Sequence, residues 1–255
     1  MASKPLVIGN WKMSLTYKQT GELVVGLKKG AQQFESSVGV IIAPSTPYLD
    51  TVGKLLKGSQ IQLAAQNIFW QAEGAYTGEV SAPMLLDLKC QYAIIGHSER
   101  RKYLRETEGM VHKKVGHALE HNMIPIICIG ETFEERREGI KDLVVMKQLK
   151  NALHGIMPAE NARIIIAYEP IWAVGTGQAC DPNEARETIQ VLRHTLIDIY
   201  QKHHAESNFI TIYGGSIDDT SIVNYVDNSI IEGVLVGGAS TKLDSYLGMI
   251  KAIAK

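Results

Sequence analysis

The sequence predicts an α/β fold, namely one (β/α)8 barrel domain over residues 1–255, with eight parallel strands and an outer ring of helices. Short apolar runs alternate with longer amphipathic segments along the whole chain, as in parallel βαβ units. Eight such units in 255 residues match the count and the size of a closed barrel. No proline-, glycine- or serine-rich stretch interrupts the alternation, so we expect no domain boundary.

The eight predicted strands are short, rich in β-branched and other apolar residues, and followed by glycine, proline or a polar residue. In chain order they cover residues 6–9, 38–43, 61–65, 92–96, 124–129, 164–168, 209–213 and 233–236. The clearest helix-like segments between them cover residues 49–57, 108–121, 143–156, 183–202 and 218–228. An open, doubly wound sheet is the alternative, but residues 9–12 (Gly-Asn-Trp-Lys) lack the G-x-G-x-x-G expected after its first strand.

The composition argues against several classes of function. The chain has 45% hydrophobic and 21% charged residues and a formal net charge of -1, without the excess of positive charge that attracts nucleic acids or acidic membranes. No segment reaches the roughly 20 apolar residues of a membrane span, and the first apolar run is too brief for a signal peptide. Cys90, Cys128 and Cys180 form no C-x-x-C pair, which favours free thiols in a reducing compartment. We therefore expect a cytoplasmic protein that binds neither nucleic acid nor membrane.

The residues suited to chemistry concentrate directly after the predicted strands. In a barrel, the C-terminal ends of all strands meet at one rim, where active sites lie. The candidates at this rim are Asn10, Lys12, His97, Glu169, Gly175, Ser216, Gly237 and Gly238. Each one alone has an ordinary structural explanation, but together they predict one site.

Glu169 follows the sixth predicted strand, and Pro170 prevents the strand from continuing. The next residues, 171–174 (Ile-Trp-Ala-Val), form an unusually apolar loop that is closed by Gly175 and Gly177. A carboxylate beneath such a loop is typical of a general base under a lid, whose closure expels water. The alternative is an ordinary turn with a solvated glutamate.

Three other side chains complete a set for proton-transfer chemistry. Lys12 would supply positive charge to a phosphate or a developing oxyanion, and Asn10 would orient Lys12 or donate a hydrogen bond. His97 precedes a predicted helical turn, whose positive end favours a neutral ring that donates to a carbonyl oxygen. A surface lysine, a turn cap and a core histidine are the corresponding alternatives.

The glycine pairs at 214–215 and 237–238 expose backbone N–H groups after neighbouring strands, as in the phosphate sites of barrels. The amide of Gly175 and the hydroxyl of Ser216 would add donors. The whole set suits abstraction of a proton next to a carbonyl group in a small phosphorylated substrate.

We expect no cofactor and no metal, since the sequence has neither a Walker P-loop nor an H-E-x-x-H motif. His117 and His121 are four residues apart, as in helical metal sites, but no residue nearby in the sequence completes a ligand set. We therefore predict that this histidine pair lies on a solvated helix face.

The motifs at the strand ends resemble those of one family, the triosephosphate isomerases. The similar segments follow the family's order across nearly the whole chain, and they begin at Gly9 (GNWKM), Ala65 (AQN), Gly74 (GAYTGEV), Gly96 (GHSERR), Cys128 (CIGET), Ala167 (AYEPIWAVGTG), Tyr213 (YGGS) and Leu235 (LVGGAS). The family is itself a standard example of a glutamate base, a neutral histidine and loop closure.

The resemblance implies a TIM barrel that interconverts dihydroxyacetone phosphate and D-glyceraldehyde 3-phosphate in glycolysis and gluconeogenesis, without a cofactor. It also implies a role for each rim residue: proton acceptor for Glu169, electrophile for His97, substrate contacts for Asn10 and Lys12, and a phosphate cradle made by Gly175, Ser216, Gly237 and Gly238.

The resemblance further implies a homodimer. The loop from Gln66 to Glu79 would insert into the partner subunit and bring Thr77 near the partner subunit's Asn10 and the partner subunit's Lys12. The residues alone indicate only a long βα loop, which would equally cover its own barrel.

The chain departs from the family pattern at a few positions. Cys180 stands where the second hinge of the lid usually has alanine, and Gln178 where lysine is common, which puts the rate of lid motion in question. Arg105 stands where glycine is usual and would be strained if the site needs a positive φ. Two other functions stay open: a Schiff-base aldolase with Lys12 as nucleophile, and a catalytically inactive barrel that only binds a phosphorylated ligand.

Overall fold

The structure is a computed structural model that describes residues 4–173 and 178–254. Its eight parallel strands form a closed barrel in which each strand pairs with its sequence neighbours and the last pairs with the first. The strands are β1 (Leu6–Asn10), β2 (Gly39–Ala43), β3 (Gln62–Ala65), β4 (Tyr92–Ile95), β5 (Ile124–Ile129), β6 (Ile164–Tyr168), β7 (Phe209–Tyr213) and β8 (Gly233–Val236). The predicted closed barrel is confirmed, and the open-sheet alternative is wrong.

The helices surround this barrel and return the chain from the end of one strand to the start of the next. Among the described residues they are α1 (Tyr17–Ala31), α2 (Leu49–Leu55), α3 (Ala82–Asp87), α4 (Ser98–Leu104), α5 (Glu108–Glu120), α6 (Phe133–Arg137), α7 (Lys141–Leu153), α8 (Pro182–Asn208, kinked at Gln201) and α9 (Leu243–Ile253). Side-chain caps explain where several of them begin. The Asp181 carboxylate accepts the backbone N–H groups of Asn183 and Glu184 at the start of α8.

The predicted helix over residues 218–228 is wrong, because the segment has only a 3-10 turn, Ile222–Asn224. The Asp218 carboxylate accepts two backbone N–H groups from the residues that follow it, and the Asp227 carboxylate accepts three. Carboxylates that bond to nearby backbone N–H groups compete with helical hydrogen bonds. This competition explains why an amphipathic pattern forms turns here.

Alternate residues of each strand face opposite sides of the barrel wall. In β1, Ile8 belongs to the apolar cluster inside the barrel, while Val7 belongs to the layer between the strands and the helices. In β6, Ile165 and Ala167 likewise face inward and Ile166 faces outward. Because both faces are buried, the strands are continuous apolar runs, and the barrel interior is a packed core.

The three cysteines are free, as predicted, and all three are buried. Burial raises the pKa of Cys90 and that of Cys180 to about 12, so both thiols are uncharged at neutral pH. Within the described ranges, no helix combines the length and the apolar character that a membrane crossing requires.

The positive φ anticipated at Arg105 is present. Arg105 has φ 55° and ends α4, and its backbone N–H donates to the carbonyl oxygen of Arg100. A left-handed residue at this position is the usual way to end a helix, but glycine adopts it at lower cost than arginine does.

Candidate active site

The C-terminal ends of the strands surround a cavity of about 260 Å³. Its walls are formed by Asn10, Lys12, His97, Glu169, Gly214, Gly215, Ser216, Ile217, Leu235, Val236, Gly237, Gly238 and Ala239. Seven of the eight predicted site residues therefore surround one cavity. The eighth, Gly175, lies outside the described residues.

Glu169 follows β6, and it is 2% exposed. Its Oε1 lies 3.3 Å from His97 Nε2, and its Oε2 accepts a hydrogen bond from the backbone N–H of Ser98 at 3.2 Å. Burial raises the pKa of the neighbouring Cys128 thiol well above its ordinary value, and the charge of Glu169 raises it further. The carboxylate is therefore enclosed by protein groups and is not the solvated side chain of an ordinary turn.

The start of α4 orients the ring of His97. Nδ1 accepts the backbone N–H of Glu99 at 3.2 Å, so the proton of a neutral ring is on Nε2. Nε2 faces Glu169 and the cavity. The predicted helical turn after His97 is α4 itself, and the resulting geometry lets Nε2–H donate a hydrogen bond to an oxygen of a bound molecule.

Lys12 is held in an unusual backbone conformation, with φ 49°. Its N–H donates to Asn10 Oδ1 at 3.1 Å, and its carbonyl oxygen accepts from Ser45 Oγ at 2.8 Å and from Gln66 Nε2 at 2.9 Å. Strained residues persist where surrounding contacts determine them, and they are common at functional sites. One of the two roles predicted for Asn10 was to orient Lys12, and this hydrogen bond is the contact that such a role requires.

Glu99 is a site residue that the sequence analysis missed. Its Oε1 accepts a hydrogen bond from Lys12 Nζ at 2.6 Å, and its Oε2 lies 3.7 Å from His97 Nδ1. Lys12 and Glu99 are 87 positions apart, so no local pattern predicts their contact. The only signal was the position of Glu99 in the first turn after His97.

Two glycines leave the space that Glu169 occupies. A Cβ added at Gly130 would lie 1.7 Å from the carbonyl oxygen of Glu169, and one added at Gly214 would lie 2.7 Å from its Cγ. Neither distance is possible without moving the glutamate. Gly214 was predicted only as a source of backbone donors, but it also lies against the side chain of Glu169.

A buried ionic network lies behind His97. Glu106 Oε1 accepts the backbone N–H of Gly96 at 3.0 Å, and Glu106 Oε2 accepts from Arg100 Nε at 2.5 Å and from Lys114 Nζ at 2.9 Å. Burial alone would raise the pKa of Glu106, but the charges of Lys114 and Arg100 reverse this effect and lower the pKa below its ordinary value. Glu106 is therefore a charged anchor for the strand end that precedes His97.

The first residues of the predicted lid pack against the barrel. Trp172 Nε1 donates to Glu131 Oε1 at 2.8 Å, and the hydroxyl of Tyr168 donates to the same oxygen at 3.2 Å. The guanidinium of Arg136 lies 4.4 Å from the centre of the Trp172 ring. Burial raises the pKa of Glu131. The rest of the predicted lid, residues 174–177, lies outside the described residues.

The fold and the cavity together place the chain among the (β/α)8 barrel enzymes, which have their catalytic groups at the C-terminal ends of the strands. The family model for triosephosphate isomerase matches residues 5–253. The chain therefore belongs to the triosephosphate isomerase family, and it is an isomerase.

Relatives that share the family name are similar over nearly their full length. The triosephosphate isomerase of Dictyoglomus turgidum is 41% identical, over 98% of this chain and 99% of its own. That of Caldanaerobacter subterraneus subsp. tengcongensis is 40% identical, over 97% of this chain and 98% of its own. A third, from a Thermoanaerobacter species, is 43% identical with the same coverage of 97% and 98%.

Proposed function

We propose that Glu169 is the general base in the interconversion of dihydroxyacetone phosphate and D-glyceraldehyde 3-phosphate, the reaction of the family to which the chain belongs. The two compounds differ in which of two neighbouring carbons has the carbonyl group. Moving one proton between the carbons and one between the oxygens converts one into the other through an enediol(ate). No electrons leave the substrate, so the reaction requires no redox cofactor.

The observation that most directly supports this proposal is the 3.3 Å separation of Glu169 Oε1 and His97 Nε2 at the wall of the cavity. A carbonyl oxygen that accepts the proton of Nε2 in place of Glu169 would leave the carboxylate beside the adjacent carbon. Glu169 then removes the proton from that carbon. General base catalysis contributes roughly 10²–10⁴ to a rate, and a donor to a developing oxyanion contributes about 10²–10³.

Lys12 and Asn10, at the C-terminal end of β1, would also contact the substrate. The ammonium of Lys12 stabilises the negative charge of the enediolate and of the phosphate, because opposite charges attract more strongly in a site with little water. Glu99, through its 2.6 Å contact with Lys12 Nζ, holds the ammonium in position. Asn10 holds the backbone of Lys12 in its strained conformation.

Ser216, Gly237 and Gly238 would bind the phosphate, together with Gly175 as the resemblance implies. The first three are part of the wall of the same cavity as Glu169. Apart from the chain neighbours of Gly238, no atom of the described residues lies within 4 Å of the position that a Cβ at Gly238 would take, so an anion can approach the backbone N–H groups there.

The Schiff-base alternative is less well supported. Lys12 Nζ lies 2.6 Å from the Glu99 carboxylate, so the nitrogen would have to leave this contact before it could attack a carbonyl carbon. A Schiff base needs a neutral amine as the nucleophile. An inactive ligand-binding barrel would differ from the proposed isomerase only in its lack of turnover, so an activity assay with dihydroxyacetone phosphate distinguishes the two.

The substitution Glu169→Gln tests the proposed base. We expect kcat to fall by about 10²–10⁴, because an amide cannot accept the proton. The inhibition constant of inorganic phosphate should change little, because the substitution leaves Ser216, Gly237 and Gly238 in place. The measurement is a coupled assay with dihydroxyacetone phosphate on the purified chain and on the variant.

Near-normal turnover by Glu169→Gln would remove Glu169 from the role of base. An inactive wild-type chain that still binds phosphate would instead support the ligand-binding barrel. Reduction with borohydride in the presence of substrate would trap the substrate on Lys12 only if the aldolase alternative is right.

We also infer that the chain forms a homodimer through the loop from Gln66 to Glu79. Several large apolar side chains near this loop are exposed in the single chain: Met13 (96%), Tyr103 (68%), Leu104 (60%), Met84 (53%) and Tyr76 (46%). Met13, Tyr103 and Leu104 belong to the wall of a groove of about 460 Å³ beside the active site. A second copy of the loop, with Thr77 at its exposed tip, is suited to this groove because the contact would bury these side chains.

The loop has a defined shape. Phe69 stacks on Trp70 with a centroid distance of 4.1 Å, and it contacts Tyr76 at 4.6 Å. Gln66 ties the start of the loop to Lys12 and Ala43. A loop that is already ordered loses less entropy on docking, which favours association.

We propose that the enzyme acts in glycolysis and gluconeogenesis in the cytoplasm, and that neither nucleic acid nor membrane is a partner.

A further inference from the structure

The prediction that His117 and His121 lie on a solvated helix face is wrong for His117. His117 is 7% exposed. Its ring contacts that of His121, with centroids 4.3 Å apart and planes inclined by 54°. The pair is thus partly inside the protein, although both residues are in the last turn of α5 or directly after it.

A third residue joins the pair. One ring nitrogen from each histidine and a carboxylate oxygen of Glu120 all lie within 4.8 Å of one another. Glu120 Oε2 is 3.8 Å from His117 Nδ1. The 3.8 Å separation is too long for a direct hydrogen bond. The three groups are nevertheless close enough for one ion between them to bind all three after small side-chain rotations.

His117 has an unused polar atom. Its Nε2 is buried and has no hydrogen-bond partner among the described residues, and its Nδ1, the nitrogen that lies 3.8 Å from Glu120 Oε2, is too far from that oxygen for a hydrogen bond. A buried ring nitrogen without a partner costs free energy, so such atoms require an explanation. The ring of His121 differs, because its Nδ1 lies 2.9 Å from the carbonyl oxygen of His117. This contact places the proton of a neutral ring on Nδ1 and leaves Nε2 of His121 with a free lone pair.

We propose that His117, Glu120 and His121 form a binding site for a divalent transition-metal ion. Two imidazoles and one carboxylate suit Zn²⁺, Ni²⁺ or Cu²⁺, whereas Mg²⁺ and Ca²⁺ prefer sites made of oxygen ligands alone. Three protein ligands leave a coordination position for water on the exposed side of Glu120. The backbone contact of His121 Nδ1 is the outer-shell hydrogen bond that commonly fixes a metal-binding imidazole.

The site is far from the isomerase cavity. Helix α5 returns the chain toward the start of β5 at Ile124, shortly after His121, so the cluster lies at the N-terminal end of the barrel. The cavity lies at the C-terminal end. A bound ion would therefore stabilise the folded chain without contacting the substrate, since a ligand that binds only the folded state raises the free energy of unfolding.

The test is a titration of the purified full chain, without a histidine tag, with ZnCl₂ in a calorimeter. We expect one Zn²⁺ to bind per chain and to raise the melting temperature. The variants His121→Gln and Glu120→Gln should each weaken Zn²⁺ binding by at least about tenfold. Even the loss of an outer-shell partner of a metal typically lowers affinity by about this factor, and these two residues are proposed as direct ligands. Both residues are near the surface, so the variants should fold and retain isomerase activity.

Two controls exclude other zinc ligands. His203→Gln changes another histidine pair, whose ring centroids are 5.7 Å apart, and it should bind Zn²⁺ like the wild type. Glu169→Gln removes a carboxylate of the active site and should also leave the affinity unchanged. Failure of the wild-type chain to bind Zn²⁺, or equal affinity in His121→Gln and Glu120→Gln, would overturn the proposal.

Discussion

The position of Glu169 depends on residues that have no side chain. Gly130 and Gly214 contact its backbone and its Cγ respectively, and a Cβ at either site would collide with it. A base must be within hydrogen-bond reach of the proton it removes, so small displacements have large effects on the rate. Glycine at these two positions is thus required for the observed position of Glu169.

The substitution Gly214→Ala should lower kcat and change the KM for dihydroxyacetone phosphate much less. The new Cβ would lie 2.7 Å from Glu169 Cγ, which forces the carboxylate to move. Misplacement by about 1 Å can reduce a rate up to roughly 10²-fold. Steady-state kinetics on the purified variant provide the measurement.

The matched variant is Gly238→Ala. In the part of the chain that the structure describes, its new Cβ would have no atom within 4 Å other than those of its chain neighbours, so the folded chain should accommodate the methyl group without moving Glu169. The methyl group would instead approach the bound phosphate and raise KM. If Gly214→Ala retains the wild-type kcat, the steric account of the position of Glu169 fails.

At the scale of secondary-structure elements, Glu106 joins three parts of the chain. It binds the end of β4 through the N–H of Gly96, α4 through Arg100 and α5 through Lys114. The Glu106 and Lys114 side chains are only 2% and 3% exposed. A buried ion pair need not stabilise a fold more than apolar residues would, but removing one partner leaves a buried charge unpaired.

Glu106→Gln should therefore reduce the free energy of unfolding by about 3–5 kcal/mol. The surface ion pair of Asp50 and Lys54 offers a comparison, because Asp50→Asn should change stability by less than about 1 kcal/mol. Urea denaturation of the two variants and the wild type measures both effects. Equal stability of the two variants would show that burial of the Glu106 network is unimportant.

The segment between β7 and β8 depends on Asp227. Burial alone would raise the pKa of Asp227, but three backbone N–H groups and the guanidinium of Arg186 lower it well below the ordinary value. A carboxyl group with a lowered folded-state pKa stabilises the fold fully above its unfolded-state pKa, which is about 3.9 for aspartate. This stabilisation is lost as the pH falls toward the folded-state pKa.

We therefore expect Asp227→Asn to be less stable than the wild type at pH 7, by about 1–3 kcal/mol, and to differ progressively less as the pH falls below about 4. The physical reason is that the Asp227 carboxylate binds a proton below about pH 4 in the unfolded chain but keeps its charge in the folded chain, so protonation favours unfolding of the wild type, whereas an amide does not titrate. Urea unfolding at several pH values between 7 and 3 measures the difference. A constant difference across this range would contradict the assignment of the lowered pKa.

At the scale of the whole molecule, the active site and the proposed dimer interface are adjacent. Lys12 belongs to the wall of the isomerase cavity, and Met13, the next residue, is 96% exposed at the neighbouring groove. A partner loop in that groove would pack beside the strained backbone of Lys12. Dimer formation would thus stabilise the substrate-binding conformation as well as bury apolar surface.

Thr77→Arg should produce monomers with a kcat/KM reduced by up to about 10²-fold, because a charged, longer side chain would not fit the groove and Lys12 would lose its support. Met157→Arg is the control, since Met157 is 77% exposed and is not part of the groove. Sedimentation velocity and the coupled assay provide the two measurements. A dimeric and fully active Thr77→Arg variant would contradict the proposed interface.

The local pattern of residues was sufficient for the strands and for the place of the chemistry. Short apolar runs ended by glycine or polar residues predicted all eight strands to within a residue or two, because a strand buried on both faces must be apolar throughout. The same ends predicted Asn10, Lys12, His97 and Glu169, since parallel strands in a barrel finish at one rim. Helix ends were predicted less well, and residues 218–228 form turns because side chains there bind the backbone.

Only the tertiary structure determined contacts between residues distant in the chain. Glu99 meets Lys12 across 87 positions, and Gly130 and Gly214 meet Glu169 through neighbouring strands. The burial of His117 depended on the packing of α5, which hydrophobic periodicity does not specify for a single residue. Sequence periodicity indicates which residues of one helix or strand are buried, whereas the site is formed where several helices and strands meet. For this reason the sequence alone predicted seven residues of the cavity wall, and the three-dimensional packing decided what each of them contacts.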